Sequence, residues 1–160
     1  MRISDFLATD LVLPALSEKG KDEVMETLAA RLSSYYPDID RGRLTSALRE
    51  RDRQVSTALA DGVAIPHARL GGLTRIAAVF GRSHAGIDCG SHDGKPTHLF
   101  LLLVVPDDAA GAHLKLLATA SRLLHDSRCR TSLMQAADEA TFLEALRAEE
   151  ARVRDTARAA

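Results

Sequence analysis

The chain has 160 residues, 46% of them hydrophobic and 27% charged, with a formal net charge of −1. That length fills one ordinary domain with a core of its own, and the apolar fraction argues against a disordered segment. The near-neutral charge offers no electrostatic case for nucleic acid or an acidic membrane surface, and Cys89 and Cys129 fit no metal or redox spacing.

Arg2, Asp5 and Asp10 interrupt any apolar leader. The longest apolar run, Leu99 to Val105, falls far short of the ~20 residues of a membrane span. A cytoplasmic protein with no membrane insertion is expected. Val24, Met25, Leu28, Ala29 and Leu32 recur at helical spacing, which predicts an amphipathic helix over about 21–35 with Ser17 as a cap ahead of it. Pro37, Asp38 and Asp40 mark a turn and a second cap, before a helix over about 41–53.

A polar, extended stretch from Gln54 to Asp61 leads into a Val63-Ala64-Ile65 strand, and Gly71-Gly72 breaks the chain. Ile76 to Phe80 reads as a strand closed by Gly81, and His84 to Lys95 as a strand edge with a hairpin-like loop. Thr97 to Val105, between Pro96 and Pro106, reads as a central strand buried on both faces. Three helices follow. One spans 112–125 and is apolar over an arc wide enough to be largely buried; the second is capped by Ser127 and the third by Asp138. This order predicts a single-domain α/β sandwich over 1–160, a mixed β-sheet flanked by helices, with the last ~10 residues a solvated helical tail.

The phosphate loop, the dinucleotide fingerprint, the paired-histidine zinc helix and the nucleophile elbow are all missing. What stands out is Gly62-Val63-Ala64-Ile65-Pro66-His67, where an apolar strand runs into a proline and delivers an imidazole. Proline fixes its own φ and biases Ile65 toward extended geometry, so the entry to His67 is stiff. His113 lies in the first turn of a helix, where unpaired N–H groups favour an anion. Arg51, at the end of the second predicted helix, offers a planar, bidentate donor set.

Two histidines and an arginine suit phosphoryl transfer. A neutral imidazole, with a reference pKa of ~6.5, attacks phosphorus, and the dianionic product needs donors already in place. Such chemistry requires an imidazole open to a donor, and neither metal nor cofactor. Ser56 and Thr57 either bind phosphate and orient His67, or bond their own backbone in a local turn. A metal site built from His67, His113 and a loop histidine matches no standard spacing.

The pattern Arg51-x4-Ser56-Thr57-x4-Gly62-Val63-Ala64-Ile65-Pro66-His67 resembles the active-site signature of enzyme IIA domains of the bacterial phosphoenolpyruvate:sugar phosphotransferase system. The similarity is to the fructose/mannitol class, which includes the free-standing nitrogen-regulatory IIA proteins. It extends through the Thr97 to Pro106 strand and Ala112-His113-Leu114 to nearly the whole chain. The resemblance implies a phosphoryl carrier rather than a turnover enzyme, with His67 phosphorylated, His113 the second active-site histidine and Arg51 their basic partner. It implies a donor, HPr or its nitrogen-branch relative, and either regulatory targets such as a kinase or transporter, or a IIB domain. The stand-alone form favours the nitrogen-regulatory branch. The alternatives are a sugar-specific IIA transport subunit and a protein-binding module of the same fold that works without phosphate. Ala58-Leu59-Ala60-Asp61 stands where relatives often carry glycines, which predicts a stiffer loop with Asp61 near the phosphate path.

Overall fold

The computed structural model describes residues 1–160. Two 3-10 turns, Ile3–Phe6 and Thr9–Leu11, precede β1 (Val12–Leu13), α1 (Lys21–Tyr35) and α2 (Arg41–Gln54). Then come β2 (Val63–Ala64), β3 (His67–Leu70), β4 (Ala77–Ile87) and β5 (Thr97–Pro106). The chain closes with α3 (Ala110–His125), α4 (Ser127–Gln135) and α5 (Glu139–Ala159).

Local chemistry sets most of these boundaries. The Asp40 carboxylate accepts from the Arg43 N–H at 2.7 Å and starts α2, and Asp138 does the same for α5 through Thr141 at 2.8 Å. Two expected caps are corrected. The residue before α1 is Gly20, which brings no side-chain bond, and Ser17 lies outside the helix. α4 is capped by Asp126, which accepts from the Cys129 N–H at 3.0 Å, one residue ahead of Ser127.

β5 is the centre of a five-stranded mixed sheet, antiparallel to β4 on one side and parallel to β2 and β3 on the other; β1 lies parallel to β4 at the far edge. Every residue from Leu99 to Val105 is buried, as its unbroken apolar run predicts. Successive strand residues point to opposite faces. Phe80 on β4 meets Phe142 of α5 with ring centroids 4.9 Å apart, and Gly81 faces Leu16 and Leu28, the latter on α1. Helices therefore cover both faces, and one continuous hydrophobic cluster runs through both layers.

Gly81 was expected to close its strand, but β4 continues to Ile87. A Cβ at Gly81 would lie 2.7 Å from Leu16 Cδ1, so this glycine admits a close-packed neighbour rather than ending the ladder. The helix after β5 is also less buried than its composition suggested. Its inner face holds His113, Leu116, Ala120, Leu123 and Leu124, while Leu114 is 68% exposed.

The β4–β5 ladder breaks register between Arg82 and Ile87, where Gly86 takes φ +83°. A Cβ there would stand 2.8 Å from Pro96 Cβ and 2.9 Å from His98 Cε1. Backbone strain and overpacking act together, so Gly86→Ala is expected to lower stability by about 2 kcal/mol or more, read from urea denaturation.

Candidate functional site

β2 and β3 pair with β5 at the same offset, Val63 opposite Leu99 and His67 opposite Leu103, so they are two halves of one strand line. Pro66 interrupts it without shifting the register. It has no N–H to give, and its carbonyl accepts from the Leu103 N–H at 2.9 Å. The Ile65 carbonyl is turned to the His67 ring, with Nδ1 2.8 Å away.

The other ring nitrogen meets α2. Arg51 Nε donates to His67 Nε2 at 3.1 Å. A guanidinium only donates, so Nε2 is the acceptor and Nδ1 carries the proton to Ile65. The imidazole is neutral, with its lone pair on Nε2. Burial pulls its pKa below 6.5, and the charges of Arg51 and Arg69 add to that while the Ile65 carbonyl opposes it.

His113 presents its ring edge-on at a centroid distance of 5.3 Å and an interplanar angle of 63°. Its pKa is lowered too, first by burial and then by His67, Arg69 and Arg51. It lies one turn into α3, whose preceding residue, Ala109, supplies no side-chain cap. The first amides of that helix are left for another acceptor.

The three residues singled out from sequence thus come together, with one correction. An imidazole open to a donor was expected, yet only 8% of the His67 surface is exposed. Arg51 lies across Nε2, the His113 ring packs against the imidazole, and the strand line covers the rest.

Arg51 bonds no carboxylate. Glu50 pairs with Arg53 and Asp52 with Lys21. Its Nη1 donates to the Val55 carbonyl at 3.2 Å, which leaves further N–H groups for a ligand. Ser56 and Thr57 hydroxyls both bond locally and neither bonds His67. Ser56 Oγ accepts from the Ala58 N–H at 3.2 Å, while Thr57 donates to Asp52 Oδ1 at 3.0 Å. Asp52 also takes the Thr57 N–H at 2.9 Å, so it pins the incoming arm to α2. Its role was missed in the sequence; a carboxylate five residues before a hydroxyl is too common to signal one.

Residues 57–65 form a tight hairpin, with Ile65 N–H to Thr57 O at 3.0 Å and Leu59 N–H to Val63 O at 2.7 Å. Asp61 and Gly62, both at positive φ (63° and 78°), make the turn. Asp61 was expected near the phosphate path. The hairpin instead places it at the opposite end of the strand line, on the order of 20 Å from His67. There its N–H is held by Asp93 Oδ2 at 2.9 Å. That N–H, the Lys95 N–H and the Ser91 hydroxyl hold the Asp93 carboxyl down at about 2.

The chain matches the family model described as "Phosphoenolpyruvate-dependent sugar phosphotransferase system, EIIA 2" over residues 5–149, and it belongs to that family. It is 36% identical over 138 residues to the nitrogen regulatory protein of Bradyrhizobium diazoefficiens, covering 86% of this chain and 90% of that one. It is 31% identical over 144 residues to the fructose-specific EIIABC component of Bacillus subtilis, covering 90% of this chain but 23% of that much longer protein. Among solved structures it is similar to the nitrogen regulatory protein IIA-Ntr of Neisseria meningitidis, with a TM-score of 0.83 and 26% identity, over 90% of this chain and 98% of that one. No helix is long and apolar enough to cross a membrane.

The two lowered histidine pKa values set a pH dependence. The unfolded chain takes up protons as pH falls through about 6.5, while the folded site resists them. Their contribution is fully present above that pH and is lost as pH drops toward the folded values. Thermal unfolding between pH 7.5 and 5 is expected to show falling stability, with a shallower fall in His67→Gln.

Proposed function

We propose that this chain is a phosphoryl carrier, folding as one unit over residues 1–160 and accepting phosphate on Nε2 of His67 from a phosphohistidine donor of the HPr type. The observation that supports it most is the Nδ1–H···O=C Ile65 bond, which leaves the lone pair on the ring nitrogen that faces the α2 guanidinium.

In the transfer, Arg51 swings off Nε2 and its N–H groups turn to phosphoryl oxygens. Nε2 attacks phosphorus in line with the donor's N–P bond. As the new N–P bond forms the old one breaks, and its electron pair returns to the donor imidazole. The proton stays on Nδ1, donated to the Ile65 carbonyl throughout, so the accepting ring's developing positive charge is shared with a fixed dipole. His113, Arg69 and the free amides of α3 offset the charge of the bound phosphate. Of the two hydroxyls, Ser56 is the one whose proton is uncommitted, and it is assigned to a phosphoryl oxygen; Thr57 orients the arm through Asp52.

The partner surface is a ring around the histidines. Val55 is 60% exposed beside Arg51, and Leu114 is 68% exposed beside His113. Apolar residues flanking basic ones suit a small carrier protein that brings a phosphohistidine within an apolar rim. The similarity to a nitrogen regulatory protein along nearly its whole length supports a regulatory role in the cytoplasm, with phosphate as the signal read by a kinase or transporter. The second reading is a sugar-specific IIA subunit that passes phosphate to a IIB domain. It is favoured by the match to a fructose-specific EIIABC component. Neither reading calls for a cofactor.

Incubation with phosphoenolpyruvate, enzyme I and an HPr-type carrier tests the proposal. Acid-labile label is expected on the wild type and none on His67→Ala. Absence of label on the wild type would favour a module that binds its partner without phosphate. His113→Ala should fold normally and accept phosphate roughly 10- to 100-fold more slowly, in stopped phosphorylation time courses. Arg51→Ala should shorten the lifetime of the phosphoprotein about tenfold, followed by loss of label after the donor is removed.

A further inference from the structure

Away from the histidines, α3, α5 and the first two residues enclose a cleft of about 270 Å³. Leu123, Val153 and Ala157 give it an apolar lining, and Arg2, Arg122, Arg154 and Arg158 a basic one. Little in the fold neutralises this basic side beyond the attraction between Glu150 and Arg2. Arg2, Arg122 and Arg158 form no ion pair, and Arg154 has only a 3.7 Å contact with its neighbour Asp155. Glu150, the one carboxylate in the lining, has both oxygens committed to the Ser4 N–H and hydroxyl at 2.9 Å and is 8% exposed. Elsewhere on α5 the pattern reverses: Arg152 is paired with both Asp126 and Glu149 at 2.6 Å. The helix neutralises Arg152 with two close carboxylates, whereas of its cleft-lining arginines Arg158 has no ion pair and Arg154 only the 3.7 Å contact with Asp155.

Like charges gathered around one concavity repel each other, and an anion relieves them. Guanidiniums match phosphate oxygens two at a time and also stack on flat rings. The apolar lining calls for a ligand with a body as well as a charge. A cleft of this size approaches the lower range of small-molecule sites, ~300 Å³ upward, and is too small for a helix about 10 Å across. We propose that this cleft binds a nucleoside polyphosphate, with the base against Leu123 and Val153 and the phosphates among the arginines. The proposal is independent of the histidine chemistry.

Calorimetric titration of the full chain tests it, with ADP, adenosine and inorganic pyrophosphate as probes. ADP should bind saturably with a Kd below ~1 mM and weaken as salt is raised. Adenosine should show no binding, and pyrophosphate should bind at least about tenfold more weakly than ADP. The double variant R122E/R158E, changed at two exposed positions, should lose ADP affinity by at least about tenfold while keeping its Tm and its His67 labelling. R122Q/R158Q serves as the milder change should charge reversal disturb folding, with a smaller loss in the same direction. No saturation with ADP, pyrophosphate binding as tightly as ADP, or ADP binding unchanged in both variants would overturn the assignment.

Discussion

The bond between the Ile65 carbonyl and His67 Nδ1 is the constraint on which the proposed chemistry depends. An imidazole has two nitrogens, and a nucleophile needs to know which one to use. Here the backbone decides. Pro66 interrupts the strand line without shifting its register on β5, and the carbonyl ahead of it is directed at the following side chain. One proline therefore both stiffens the approach and fixes the tautomer, and the lone pair is directed at α2 because Nδ1 is already occupied.

The remainder of the local architecture keeps that geometry in place. β5 is buried along its length and sets the height of His67 through Leu103. The 57–65 hairpin is held at both ends, by Asp52 near Thr57 and by Asp93 at the Asp61 turn. A comparable device ties the layers together on the far side. Arg82, 2% exposed, reaches from β4 to the Leu133 and Ala136 carbonyls near the end of α4 at 2.8 and 2.6 Å, and to Pro14 at 2.9 Å. Burial lowers its pKa, and the cation is stabilised by these carbonyl dipoles and by the face of the Phe142 ring, 5.8 Å from Cζ, with no carboxylate partner. Removing it would leave three loop and helix-end carbonyls unpaired at once.

Much of this was legible in the sequence where a local rule governs. Apolar spacing gave α1 and α2 within a residue or two, and the continuous run at Leu99 to Val105 gave the central strand. Asp40 and Asp138 announced the helices that follow them. The family resemblance carried by the Arg51 to His67 motif and by Ala112-His113-Leu114 singled out the three residues that the fold brings together. What the sequence hid is tertiary. Gly81 looks like a stop because nothing local shows Leu16 and Leu28 pressing on its Cα. For Ser56 and Thr57 the sequence left phosphate binding and a local turn equally open, and nothing local shows that Thr57 is taken by Asp52 once the arm folds back onto α2. The burial of His67 was missed for the same reason, since its cover comes from two helices far apart in the chain.

The placement of Arg51 carries a consequence for selectivity. In the resting molecule its Nε–H plugs the only basic electron pair on the ring, so stray metal ions and small electrophiles find no free nitrogen. In the transfer proposed above, reactivity would be released by a side-chain rotation instead of by a change of protonation. A donor whose phosphoryl oxygens draw the guanidinium away would unmask the nucleophile in the same movement. On that proposal the phosphoryl group opens its own way in, and discrimination between cargo and bystander would reside in one rotamer.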